Sequence, residues 1–252
     1  MIALYFWKDL LFLSLQLLFS ILLFIVLVAT VVFSFRPALR QHKSKDLSVF
    51  KKLENYTGSW QNRFFLFITF LGKHQFLIPA NLLLLGYFIF IRSNTEFSIR
   101  IAAIALSSLV LMILMKKLFR RKRPLEPLLK AARGLSFPSG HAIMAVCFYG
   151  LLIYFTRHTL TNGFPKTILI GFLVILIFLI GFSRVYLRVH YASDVLAGFI
   201  IGILWLWISL SVVKTFRESI TDKNITYTSP RKPAPVLRIQ PGRHEIEKYS
   251  FR

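Results

Sequence analysis

Two histidines, one aspartate and three cations stand in three short blocks of an otherwise apolar chain. They read Lys116-x6-Arg123-Pro124, Pro138-Ser139-Gly140-His141 and Ser183-Arg184-x5-His190-x3-Asp194. Charges and imidazoles at membrane depth are costly, so a set of them marks a functional site. Their chemistries are complementary. Cations and N–H donors can bind a phosphoryl group, one imidazole can attack it, and the other can protonate the oxygen that leaves.

His190 and Asp194 are four residues apart, a spacing that puts both on one helical face and lets the carboxylate accept a hydrogen bond from the imidazole. That bond would fix the tautomer and expose the other ring nitrogen as a nucleophile. Asp194 is the only acidic residue inside a predicted span, and burial without a partner would be strongly unfavourable; His190 is its nearest partner. Arg184 offers a planar fork for phosphate oxygens, whereas Arg188 reads as a loop or interface residue. In the second block, Pro138-Ser139-Gly140 precedes an apolar run as a helix start does. The N–H groups of such a start, with a glycine that permits close approach, suit an anion. Ser139 can donate to that anion or cap the helix, and His141 would face it as a general acid. Lys116 and Arg123 are two helical turns apart and share a face if the helix continues, with Pro124 favouring an exit at Arg123. Alone, this block also reads as an ordinary juxtamembrane basic cluster.

The elements that must position these residues are membrane helices. The 252 residues are 56% hydrophobic with a mean hydropathy of +0.62, which excludes an ordinary soluble domain. A span needs about 20 apolar residues, fewer where flanking side chains snorkel. Six stretches qualify: Leu10–Phe33, Phe76–Ile91, Ile99–Met115, Ala142–Phe155, Thr167–Phe182 and Val189–Val213. The third to fifth are short, so polar ends such as Lys116 and His141 must belong to the same helices. The first is longer than a signal-peptide core and reads as an uncleaved span. Between the first two spans, Leu47, Phe50, Leu53 and Tyr56 recur at three-residue steps beside Lys51 and Lys52. That pattern predicts an interfacial amphipathic helix, with Phe64–Leu71 dipping toward the membrane. His74 reads as interfacial, since nothing nearby completes a site. The expected fold is all-α: six transmembrane helices with an interfacial helix between the first and second. The membrane domain covers residues 1–216, and a basic, proline-bearing tail covers 217–252.

The net charge of +22 does not indicate nucleic-acid binding, because the basic residues flank spans and no nucleic-acid motif appears. Attraction to anionic and phosphorylated lipids fits better. The lone Cys147 excludes an intrachain disulfide.

Together the three blocks resemble the signature of the phosphatidic acid phosphatase type 2 family, which shares its core with vanadium haloperoxidases. All six signature elements are present, and the resemblance covers about Phe64 to Val213. It implies a six-helix membrane bundle with its site at one membrane face. His190 would be the nucleophile that becomes phosphohistidine, Asp194 its orienting partner and His141 the acid for the leaving oxygen. Lys116, Arg123, Ser139, Gly140 and Arg184 would form the phosphate cradle. The resemblance implies no metal and no other cofactor. The expected substrate is a phosphorylated lipid: an isoprenoid diphosphate, phosphatidylglycerol phosphate or phosphatidate. A phosphotransferase using the same phosphohistidine is the alternative; a non-enzymatic transporter or scaffold would not need both histidines and Asp194 in register.

If all six segments span, the loops that carry the blocks lie on one side of the membrane. The resemblance places that face outside the cytoplasm. The Lys/Arg count opposes it, with 18 on the catalytic side against 14 opposite, although three of the 18 are site candidates.

Overall fold

Residues 43–128 and 134–228 are described by a computed structural model, with helical backbone also at positions 26, 29, 30, 33 and 34. The chain divides into two units, Met1–Lys214 and Thr215–Arg252; of the second, the helical backbone to Thr228 is described. The regular elements are α1 (Lys43–Glu54), α2 (Ser59–Phe70), α3 (His74–Gly86), α4 (Thr95–Phe119), α5 (Gly140–Thr159), α6 (Phe164–Tyr186) and α7 (Ala192–Thr228). A π-helical stretch, Tyr87–Ile91, prolongs α3. Among the described residues all regular structure is helical.

Among the described residues, five helices are long and apolar enough to cross a membrane: His74–Ile91, Thr95–Phe119, Gly140–Thr159, Phe164–Tyr186 and Ala192–Ser211. They coincide with the second to sixth expected segments, and as expected Lys116 and His141 fall inside helices. The first expected segment, Leu10–Phe33, lies outside the described residues apart from the scattered helical positions. Helical backbone continues to Thr228, beyond the end of the apolar pattern; the rest of the expected tail lies outside the described residues.

Helix ends follow local chemistry. Asn94 caps α4 by accepting the Phe97 N–H at 3.0 Å. At the other end Arg120 adopts a left-handed conformation (φ 48°) and donates its N–H to Lys116 O at 3.1 Å. The helix therefore stops at Phe119, one turn before the exit expected at Arg123. The reason is that an αL cap ended the helix before the proline could. Past it the chain is irregular: Arg121 and Arg123 turn inward while Lys122 is exposed.

The bundle closes around α5, which is buried along most of its length. Gly198 and Gly202 on α7 let the two helices touch. A Cβ at Gly198 would come within 2.8 Å of Ala142 Cβ, and one at Gly202 within 2.9 Å of Val146 Cβ. Small residues one turn apart on one face are the usual means of close helix contact in membranes. One apolar cluster joins α4, α5 and α7 through Ile104, Leu111, Ile143 and Ile201; another joins α2, α3, α5 and α6 through Ile68, Leu77, Ala145 and Ile180. The outer faces stay apolar, with Leu83, Phe90, Phe172 and Trp207 exposed, as lipid-facing surfaces are.

α1 departs from the expected stripe. Phe50 is buried and Leu53 half-buried, but Leu47 and Tyr56 are exposed. The inward face is instead Asp46, Phe50 and Leu53, spaced by one turn each. A buried carboxylate anchors the helix where an apolar pattern search could not see it.

Candidate active site

The C-terminal ends of α4 and α6 and the N-terminal ends of α5 and α7 gather at one end of the bundle, and each carries part of one polar block. Helix packing thus brings together residues that the sequence separates by up to 78 positions.

The second block forms the start of α5, with Ser139 at the cap position. The Ser139 side chain makes no capping bond, so of the two expected roles it leaves the donor free. Its backbone N–H donates to Asp194 O at 3.0 Å, fastening α5 to α7. Gly140 packs closely on α4: a Cβ there would lie 2.5 Å from Met112 Sδ and 3.8 Å from Lys116 Cε. Lys116 donates to Leu135 O at 2.8 Å.

His190 precedes α7 rather than lying within it, so the helical-face argument for the His190–Asp194 pair does not hold in its stated form. Asp194 occupies the third position of α7 and accepts the N–H of Tyr191 at 2.9 Å, which is half of a capping box. The turn this makes brings His190 Nδ1 to 3.5 Å from Asp194 Oδ2, near enough for Coulomb attraction but without hydrogen-bond alignment. His190 is also not the main partner of Asp194. Arg121 Nη1 donates to Oδ1 at 2.5 Å, and the Ser136 hydroxyl donates a short bond to Oδ2.

Arg123, the second cation of the expected cradle, donates its Nε to Gly134 O at 3.2 Å. Arg123 Nη1 donates to Val189 O at 2.7 Å and faces His190 Nε2 at 3.1 Å. A guanidinium can only donate, so Nε2 carries the lone pair and the proton sits on Nδ1, toward Asp194. Burial pushes the pKa of His190 down to about 4; the Asp194 carboxylate opposes this, while Arg123 and Arg184 add to it. The imidazole is therefore neutral at ordinary pH, as a nucleophile must be. Burial also lowers the pKa of Arg123, against the pull of Asp194. Burial disfavours the charge on Arg121 too, but Asp194 and hydrogen bonds to Asp46 and Asp194 outweigh it and raise its pKa.

Arg184 Nη1 donates to Thr69 Oγ1 at 2.6 Å, tying α6 to α2. His141 is held by shape: Gly72 packs against it, and a Cβ there would lie 3.1 Å from His141 Cδ2 and 2.5 Å from Ile180 Cγ2. Sequence reasoning missed Gly72, Thr69, Arg121, Ser136 and Asp46. Gly72 and Lys73 interrupt the apolar sequence just before His74, which was a visible signal, though Gly72 rather than His74 packs against His141; the others had none.

Four of the expected residues keep buried polar atoms without a hydrogen-bond partner: Ser139 Oγ, His141 Nε2, Arg184 Nε and His190 Nδ1. Buried polar groups are ordinarily satisfied, so such a group of exceptions marks a place built for a polar ligand. Arg123 lies within electrostatic reach of Lys116 and Arg184, an arrangement that suits an anion. Beside Arg123 opens a cavity of about 530 Å³ lined by Leu47, Phe50 and Lys51 of α1 and by Pro124, Arg188 and Tyr191. Among the described residues no three His, Cys, Asp or Glu side chains gather as metal ligands would.

The PAP2 superfamily model matches residues 9–218. Phosphatidylglycerophosphatase B of Bacillus subtilis is 30% identical over 179 residues, covering 71% of this chain and 86% of that protein. Dolichyldiphosphatase of Saccharomyces cerevisiae is 37% identical over 87 residues, covering 34% of this chain and 36% of that protein. Among solved structures, the transmembrane PAP2-type phosphatidylglycerolphosphate phosphatase from Bacillus subtilis superposes with a TM-score of 0.62 at 29% identity, covering 81% of this chain and 96% of that one. LpxE of Aquifex aeolicus superposes with a TM-score of 0.53 at 28% identity, covering 66% and 94%. With the family model spanning most of its length, this chain belongs to the PAP2 superfamily.

Proposed function

We propose that the chain is an integral-membrane lipid phosphatase that cleaves a terminal phosphoryl group from an amphipathic lipid through a phosphohistidine on His190. The observation that carries this reading is the cluster of unpartnered buried polar atoms on Ser139, His141, Arg184 and His190, ringed by Lys116, Arg123 and Arg184. A phosphoryl group between Arg123 and His190 takes over the Arg123 donor and leaves the Nε2 lone pair facing phosphorus. Nε2 attacks, the phosphorus–oxygen ester bond breaks, and His141 gives its proton to the departing oxygen. Water then attacks phosphorus, the phosphorus–nitrogen bond breaks, His141 takes up the proton, and phosphate leaves. The cations offset charge on the phosphoryl oxygens throughout. Proton donation contributes on the order of 10²–10⁴-fold.

The relatives' names supply the substrate candidates: phosphatidylglycerol phosphate from the bacterial one and an isoprenoid diphosphate from dolichyldiphosphatase. Phosphatidate remains a third. In the full architecture Leu10–Phe33 adds a sixth span, α1 lies at the interface against anionic lipid, and the site opens on the extracytoplasmic face of the cell membrane. A C-terminal reporter active only outside the cytoplasm then stays silent; activity would reverse the orientation.

The deciding experiment is phosphate release by detergent-purified protein from a panel of these lipids, with and without vanadate, for wild type and His190→Ala. Release that vanadate blocks and His190→Ala abolishes is expected. Near-normal activity of His190→Ala would overturn the nucleophile assignment, and a phosphorylated acceptor in place of free phosphate would make the enzyme a transferase.

A further inference from the structure

Arg121 lies between two carboxylates from distant parts of the chain. Its Nη1 donates to Asp194 Oδ1 at 2.5 Å and to Ser193 Oγ at 2.8 Å, and its Nη2 donates to Asp46 Oδ2 at 2.8 Å. Asp46 also accepts the Ser193 N–H at 3.1 Å and the Ser193 hydroxyl at 2.6 Å. The guanidinium carbon sits 4.1 Å from the centroid of the Tyr191 ring, which stacks on Phe50 of α1 at 5.9 Å. Asp46 and Asp194 are 5% and 0% exposed at their side chains and Arg121 13%, so water screens little of this network. Planar forks that bind two carboxylates at once are what arginine does and lysine cannot.

We propose that Arg121 and Asp46 are positioning residues for hydrolysis, fixing the Asp194 carboxylate beside His190 and making α1 part of the catalytic framework. The inference rests on the reading of His190 as nucleophile. Arg121 takes Oδ1, while Oδ2, which accepts the Ser136 hydroxyl and the Tyr191 N–H, lies 3.5 Å from His190 Nδ1. Asp46 fixes the far side of the fork, so the geometry of Asp194 is inherited from the docking of α1. That helix also lines the cavity beside Arg123, where the non-reacting part of a substrate would lie. Arg121 also partly neutralises Asp194. Without it, Asp194 acts more fully on His190, which is otherwise faced by Arg123, Arg184 and His141, and the imidazole becomes easier to protonate.

The test compares Asp46→Asn, Arg121→Gln, Arg121→Lys and the double variant Asp46→Asn/Arg121→Gln, with Arg120→Gln as a nearby exposed control. Phosphate release is measured across pH on a lipid that wild type hydrolyses, after thermal melting confirms folding. Arg121→Gln is expected to lower kcat by about 10²-fold with KM nearly unchanged, the scale of an ångström's misplacement of a reacting group. Its acid limb moves to higher pH. Asp46→Asn lowers kcat by about tenfold, and in the Arg121→Gln background it adds nothing, because residues in one network are not additive. Arg121→Lys recovers only part of the rate, since lysine keeps the charge without the fork.

Additive losses, an unmoved acid limb or a change confined to KM would overturn the proposal. Should Arg121→Gln fail to fold, Asp46→Asn and Arg121→Lys decide it, and wild-type kcat in both would refute it. Failure of the underlying reading looks different, because His190→Ala would then stay active whatever the Arg121 variants do.

Discussion

The pKa of His190 gives a prediction that can be followed in both stability and rate. The imidazole titrates at about 4 in the folded chain against an ordinary 6.5. A gap of roughly two and a half units, at about 1.4 kcal/mol per unit, corresponds to about 3 kcal/mol. Because the folded value is the lower one, the unfolded chain binds the proton more readily between these two values. This stability is therefore fully present above about pH 6.5 and is lost progressively as pH falls toward 4. The assay is thermal melting in detergent from about pH 8 down to 4 for wild type and His190→Gln, whose amide does not titrate. The wild-type melting temperature should fall relative to the variant across that window by several degrees. The acid limb of wild-type phosphate release should lie near 4, where Nε2 becomes protonated. Parallel melting curves, or an acid limb at 6.5, would refute the argument that burial keeps His190 neutral.

Three further outcomes follow from contacts in the bundle. Gly72→Ala brings a methyl to 3.1 Å from His141 Cδ2, and combining it with Ile180→Ala removes the worse clash at 2.5 Å; phosphate release should stay depressed in the double variant even if melting recovers. Gly198→Ala pushes a methyl to within 2.9 Å of Ser139 O and should cost about 1–3 kcal/mol, while Gly171→Ala, which meets nothing within 4 Å, should melt like wild type. Thr69→Val removes the hydroxyl that accepts Arg184 at 2.6 Å, and kcat/KM for phosphate release should fall about tenfold, the value of about 1.4 kcal/mol from one charge-assisted bond.

The sequence by itself determined the class of the protein and nominated the residues of its candidate site. Long apolar runs allow only helices at membrane depth, since backbone polar groups must be satisfied within each segment. Five of those helices appear where the hydropathy placed them, and the first expected one lies outside the described residues. The residues Lys116, Arg123, Ser139, Gly140, His141, Arg184, His190 and Asp194 stood out because polar groups at helix ends are conspicuous against an apolar background. What supports them was not legible. Asp46, Thr69, Arg121 and Ser136 are ordinary residues in loops or on helix faces, and their importance comes from partners up to 147 positions away. The local spacing of His190 and Asp194 suggested a pair on one helix; the tertiary structure made it a helix start, with Arg121 as the principal partner of the carboxylate. Spacing along a chain fixes which groups can share a turn, but only packing decides which distant charges and backbones close around them.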